Sequence, residues 1–214
     1  MKIRYLGHSC FALTSSTGFT VVTDPFGDIG LSMPSVRADA VSVSHSHFDH
    51  NAVNAVSGAP KVCDRAGEYA SASVKMTAFK SWHDDAEGRK RGENLIFRYE
   101  VDGFTICHLG DLGENCATAH IERILPVDIL LIPVGGVYTI DAEEARAYVD
   151  AIKPRIVIPM HFCEQGKTVD LNGVEQFLAK FDGEQVVKAG SEIELTHETV
   201  AKEGIKIILM ERQS

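Results

Sequence analysis

Between Ser44 and His50 the chain reads Ser-His-Ser-His-Phe-Asp-His, which sets three imidazoles and one carboxylate into six residues as His-x-His-x-Asp-His. Neutral imidazole and carboxylate are ligands for zinc, iron, manganese and nickel. His45 and His47 are two apart, so in an extended turn both rings face one side and can share a cation. Asp49 and His50 open the next turn and can face a second cation. A surface histidine, or an aspartate capping a helix, accounts for one such residue. It does not account for four together behind a strand.

A two-metal centre takes about seven or eight protein ligands, counting a bridging carboxylate, so other residues must join this loop. His83, His108, Asp111 and His161 each stand at or near the end of a predicted strand, and so does His8. His120 falls inside a predicted helix and His197 in the C-terminal region; both read as surface residues. Asp24 ends a strand just before Pro25. It reads equally as a turn-initiating Asp-Pro and as a hydrogen-bond partner of the metal loop.

Strands must carry these residues. Ala40–Ser44 alternates apolar and polar side chains as a strand does, and Asn51–Val56 has helical spacing ended by Ser57-Gly58. The metal loop then lies where a strand feeds a helix, an edge where open α/β sheets bind ligands. Lys2–Leu6, Cys10–Thr14 and Phe19–Thr23 predict a meander with short turns. Lys61–Asp64 predicts a short strand, Ala66–Ser71 a helical turn, and Asn94–Val101 with Phe104–His108 a hairpin across Asp102-Gly103. Glu114–Leu125 has helical spacing. Asp128–Val134 and Arg155–Met160 read as buried strands, and Asp141 caps a helix to about Ile152 between them. Asn172 caps a last helix to about Lys180, and Val186–Lys188, Glu192–Leu195 and Ile205–Met210 close the chain as strands. Two sheets with helices outside fit this order, in a single α/β domain over residues 1–214.

The composition is that of an ordinary globular chain, 44% hydrophobic and 24% charged, with a net charge of −9. Such an acidic surface argues against a nucleic-acid partner, which needs clustered Lys and Arg. Arg89-Lys90-Arg91 is the one basic cluster; it reads as a solvated loop between Gly88 and Gly92 that could meet an anionic substrate. No charged-then-apolar leader opens the chain, and no apolar run approaches the ~20 residues that span a bilayer. Five cysteines without a Cys-x-x-Cys pair predict reduced thiols and a cytoplasmic protein, with Cys63, Cys107 and Cys163 packed in the interior.

These residues together resemble the metallo-β-lactamase superfamily: Asp24 ending an early strand, the His45–His50 loop, His83, Gly110-Asp111 and His161, in that order over about residues 2–165. Gly7-His8-Ser9-Cys10-Phe11 and Pro159-Met160-His161-Phe162 look like the small metal-dependent hydrolases within it, more distantly related to ascorbate-6-phosphate lactonase and N-acylphosphatidylethanolamine phospholipase D. The resemblance implies a four-layer αβ/βα sandwich. It implies one metal held by His45, His47 and His83, a second held by Asp49, His50 and His161, and a bridge from Asp111. It favours His83 over His108 as the third histidine. Leu112 stands where close relatives often have Thr after Gly-Asp, which alters a hydrogen bond and removes no ligand.

The expected chemistry is hydrolysis of a small-molecule ester, a phosphodiester or lactone, by a nucleophile activated between two divalent ions. Zinc is the leading expectation, with manganese, iron or nickel as alternatives. Asp49 would orient the nucleophile, and His108 or a water would protonate the leaving group. Two rival readings stand beside this: a mononuclear iron dioxygenase acting on a persulfide, and a non-catalytic metal-binding protein. Homo-oligomer formation is left open.

Overall fold

The computed structural model describes residues 1–116, 118–165, 168–200 and 204–213, with side chains omitted at 118–120. The first part contains β1 (Lys2–Gly7), β2 (Cys10–Thr14), β3 (Thr20–Thr23), β4 (Val36–Arg37), β5 (Ala40–Ser42), β6 (Val56–Ser57), β7 (Lys61–Cys63) and β8 (Gly67–Ala70). Then come β9 (Val74–Trp82), β10 (Glu93–Val101), β11 (Phe104–His108), α1 (Thr118–Ile124), β12 (Ile129–Pro133), α2 (Ala142–Ile152) and β13 (Ile156–Met160). The chain closes with α3 (Glu175–Leu178), β14 (Val186–Ala189), β15 (Glu192–Glu194), α4 (His197–Val200) and β16 (Lys206–Met210).

One sheet has six strands in the order β15-β1-β2-β3-β5-β7, and the other has eight in the order β14-β16-β13-β12-β11-β10-β9-β8. The predicted meander is present as antiparallel β1-β2-β3. The β10–β11 hairpin turns at Asp102 and Gly103, both at positive φ (50° and 80°), as a tight right-twisted turn requires. β11, β12, β13 and β16 run parallel. Every residue of β12 and β13 is buried, which fits strands covered on both faces.

Apolar side chains sort into three layers. Tyr5, Phe11 and Leu13 of the first sheet meet Phe97, Tyr99 and Ile158 of the second. Beyond the second sheet, Cys107, Leu130 and Val157 pack on Ala145, Tyr148 and Val149 of α2 and on Phe177 of α3. On the outside of the first sheet, Leu6, Val22 and Val41 are covered by Phe26, Ile29, Leu31 and Val36. The α/β sandwich is therefore as expected, with its outer layer on the first sheet built from loop and the β4–β6 pair.

Several local expectations are corrected. Asn51–Val56 forms one 3₁₀ turn, Val53–Ala55, which buries nothing and has no side-chain cap, and it runs straight into β6. Residues 66–71 hold no helical turn; β8 pairs antiparallel with β9, whose long edge outweighs the local preference of Ala66. α1 begins later than Glu114, because the Tyr148 hydroxyl ties the carbonyls of Glu114 and Asn115 outside the helix; residue 117 of that predicted span lies outside the described residues. Asn172 does not cap α3, which begins after Val174. Its backbone instead bonds Gly135 and Cys163. Asp141 does cap α2, in a reciprocal capping box with Glu144. Cys63 and Cys107 are buried, but Cys163 is exposed, because the turn after His161 carries it outward.

Candidate metal centre

Two antiparallel steps make β1 parallel to β3, and likewise β9 parallel to β11. The C-terminal ends of β1, β3 and β5 therefore lie at one edge of their sheet, and those of β9, β11, β12 and β13 at one edge of the other. His8 follows β1, Asp24 follows β3, the His45–His50 loop follows β5, His83 follows β9, Asp111 follows β11, and His161 follows β13. The sandwich thus gathers residues from six strand ends at one mouth.

Three overlapping groups form there, each with its ligand-type atoms within 4.8 Å of one another: His45, His47 and His83; His45, His50 and Asp111; and His8, Asp49, His50 and His161. Asp111 Oδ2 joins them. It lies 3.0 Å from His161 Nε2, 3.3 Å from both His50 Nε2 and His83 Nε2, and 3.9 Å from His45 Nε2. All of these groups are buried except His47, whose ring faces the open side.

The donor set fits divalent cations. His45 Nε2 and Asp111 Oδ1 are shielded from solvent without a hydrogen-bond partner among the described residues. Leaving such groups unpaired costs about 1–3 kcal/mol each, and a cation between them removes that cost. Electrostatics agree. Burial, aided by repulsion from His50, pushes the His45 imidazole down to about 3, so it stays neutral with its lone pair ready. Burial and then the neighbouring His83 also lower His47. Burial opposes charge on both Asp111 and His50, but their mutual attraction, with His161 and Asp24, holds Asp111 well below the carboxylate range and His50 well above the imidazole range. A bound cation would take the place of that proton.

Asp24 fixes this loop from beneath. Its Oδ1 accepts from Ser44 N at 2.7 Å, while Oδ2 accepts from Ser44 Oγ at 2.6 Å and from His50 Nδ1 at 3.0 Å. Because Ser44 Oγ donates to Asp24, it accepts from His45 Nδ1 at 2.9 Å. Both ring orientations follow: His45 and His50 carry a proton on Nδ1 and present Nε2 to the centre. Of its two readings from sequence, Asp24 is the hydrogen-bond partner.

The backbone is strained where it turns into the centre. His8, Asp24 and His161 have φ of 57°, 36° and 52°. A left-handed non-glycine residue costs about 1–2 kcal/mol, and such positions gather at functional sites. Gly110, at φ 58°, has a different reason: a Cβ there would lie 2.3 Å from Asn94 Oδ1 and 2.7 Å from Ser44 Cβ. That close approach lets Asn94 accept from Asp111 N at 2.9 Å and so fix the backbone that carries this carboxylate.

His108 does not reach the centre. It is 1% exposed; its Nε2 donates to Ser9 O at 2.9 Å, and its Nδ1 accepts from Gly110 N at 3.1 Å. It faces Phe11, behind the ligand layer. Both of its nitrogens are engaged there, so neither is turned toward the centre. His8, given little weight from sequence, comes closer. Its Nε2 lies 3.1 Å from His50 Nε2 and 3.2 Å from Asp49 Oδ2. The Gly-His-Ser turn between two short strands was the available signal. Leu112 is fully buried against the helical layer. His197 is exposed at the far side against Phe104, and the side chain of His120 lies outside the described residues. Among the described residues, no helix is long and apolar enough to cross a membrane.

Comparison with known proteins places this geometry. Residues 2–161 match the family model of the β-lactamase superfamily domain. A metal-dependent hydrolase of the UPF0173 group from Carboxydothermus hydrogenoformans is 31% identical over 192 residues, covering 76% of this chain and 84% of that protein. The crystal structure of a candidate Zn-dependent hydrolase of the metallo-β-lactamase superfamily from Thermotoga maritima superposes with a TM-score of 0.82 at 37% identity, covering 99% of each chain. A metallo hydrolase from Ignicoccus hospitalis shares the fold at a TM-score of 0.66 and 19% identity, covering 100% of this chain and 96% of its own.

Proposed function

Because this chain belongs to the metallo-β-lactamase superfamily, we propose that it is a hydrolase that holds two divalent cations, zinc foremost, and cleaves a small-molecule phosphodiester or lactone. The observation that carries the reading is Asp111 Oδ2, set within 3.3 Å of His83 on one side and of His50 and His161 on the other. His45, His47 and His83 would hold one cation, Asp49, His50 and His161 the other, and Asp111 both. Cations so held supply Lewis acidity and water activation at neutral pH.

The protein's own part is orientation. Asp24 fixes two imidazole tautomers, and Asn94 fixes the backbone that carries the bridging carboxylate. Asp49 Oδ2, within hydrogen-bond reach of His8 Nε2, is turned toward the centre and can orient an attacking water. His108 is a positioning residue, tying the Ser9 turn to the Gly110 turn.

Elemental analysis, metal titration and hydrolysis of bis(4-nitrophenyl) phosphate and a lactone panel test this. Two metals per chain are expected, with turnover lost on chelation and restored by metal. One iron per chain with oxygen uptake on a persulfide would replace the reading with a dioxygenase. Full loading without hydrolysis on either substrate class would favour a binding protein.

A further inference from the structure

A cavity of about 600 Å³ lies over the ligand cluster, lined in part by His47, Asp49, His83, Asp111 and His161. A second cavity, about 530 Å³, opens on the other side of His47. Arg91 lines both. It belongs to the Arg89-Lys90-Arg91 cluster, which the hydrolytic site does not otherwise use.

Three neighbouring cations have a carboxylate within 4 Å. Lys80 pairs with Glu93 at 2.8 Å, Lys90 with Asp85 at 2.6 Å, and Arg65 lies 3.9 Å from Asp64. Arg91 has no carboxylate partner among the described residues. Its Nη2 donates to Val137 O at 3.1 Å, and its guanidinium sits 5.5 Å over the Tyr138 ring. That leaves other guanidinium donors for a ligand, already oriented by the stack.

The loop that carries Arg91 is tied to the centre. The carboxylate of Asp84, directly after His83 and 1% exposed, accepts from the backbone N–H groups of Ala86, Gly88, Lys90 and Arg91 at 2.7–2.9 Å. His83 N in turn donates to Gly92 O at 3.1 Å. One buried carboxylate therefore sets the distance between a ligand histidine and a free cation. Phe48, 66% exposed, and Tyr138, 38% exposed, add an apolar wall to the same cavity. Asp170 also lines it, which disfavours a polyanion and leaves the Arg91 wall as the place for a negative group.

We propose that Arg91 is a specificity residue: the substrate carries, besides the bond to be cleaved, a second anionic group (carboxylate or phosphate) that Arg91 binds, with an apolar portion against Phe48 and Tyr138. This rests on the hydrolase reading. Calorimetric titration of the zinc-loaded protein with phenylphosphonate and its 3- and 4-carboxy derivatives tests it. At least one carboxy derivative should bind roughly tenfold tighter than phenylphosphonate, as a charge-assisted pair adds. In Arg91→Met, with metal content as in the parent, that ratio should fall to about one; Arg91→Lys should keep part of it. Equal affinities in the parent protein, or a ratio that persists in Arg91→Met, overturns the proposal. Failure of phenylphosphonate itself to bind the loaded protein overturns the open metal centre beneath it, and the substrate assignment with it.

Discussion

Asp111 Oδ2 lies 3.0 Å from His161 Nε2, although the two residues leave strands β11 and β13, which β12 separates. A carboxylate that reaches across a strand to a histidine, and back to His83, sits where it can serve both ligand groups. Asp111→Asn keeps the shape and removes the charge. It should lower bound metal from two per chain to one or less, while the unloaded protein keeps its fold. Elemental analysis after gel filtration, with circular dichroism, checks this. Two metals retained in the variant would mean that Asp111 does not bridge.

His83 and His108 should separate by metal content. His83→Ala removes a group facing His45 and His47, so it should lose one metal under mild chelation. His108→Ala should keep both metals. It should instead destabilise loaded and unloaded protein alike by about 1–3 kcal/mol, since it strands Gly110 N and leaves Ser9 O to Thr23 Oγ1 alone. The reverse pattern would make His108 the ligand.

His47→Ala should lower thermal stability only in the metal-loaded protein. Binding to the folded state adds stability by mass action, and His47 is an exposed ring with little packing to lose. Equal melting shifts with and without metal would mark a packing role.

Asp24→Asn should weaken metal affinity about 10–100-fold, the usual range for a residue that orients ligands. Asn tolerates the left-handed backbone, so the fold should survive. Unchanged affinity would reduce Asp24 to a turn residue.

Glu114 gives a pH dependence. Burial, with the charges of Asp84 and Glu87 and against a hydrogen bond from the Trp82 backbone, pushes its carboxyl from 4.5 up to about 7. Between those values the unfolded chain has lost this proton and the folded chain keeps it, so stability falls as pH rises, and the full penalty stands above pH 7. Glu114→Gln removes the penalty. Partial exposure screens it, so the variant should gain on the order of 2–4 °C over the parent at pH 8 and nothing at pH 4. Melting scans of unloaded protein check the crossover.

The residues that gather at the candidate metal centre could be read from the chain because imidazoles and carboxylates at strand ends carry their own signal. His83 needed the resemblance, since its spacing alone does not distinguish it from His108. His8 is not singled out by sequence because its proximity to His50 depends on two antiparallel steps that make β1 parallel to β3. The strands of the second half were legible from continuous apolar runs. Asn51–Val56 and Ala66–Ser71 were not, because such short segments take their form from what they pair with: β4 in one case, β9 in the other. The sequence shows that the Arg89-Lys90-Arg91 cluster could meet an anion but does not single out Arg91, since the carboxylate that holds its loop is seven residues away and buried.

Each candidate ligand group draws on both sheets, with residues of the His45–His50 loop from the six-stranded one and His83, Asp111 or His161 from the eight-stranded one. Cations bound between them would act as a clasp across the mouth of the sandwich, opposite the end where the chain terminus at Met1 meets Asp102 at 3.5 Å. Stripping them should loosen that mouth before the centre of the fold, so amide exchange should quicken first around residues 43–50 and 109–113. Proteases would find their opening there, and the protein's lifetime would follow the supply of metal as well as its intrinsic stability.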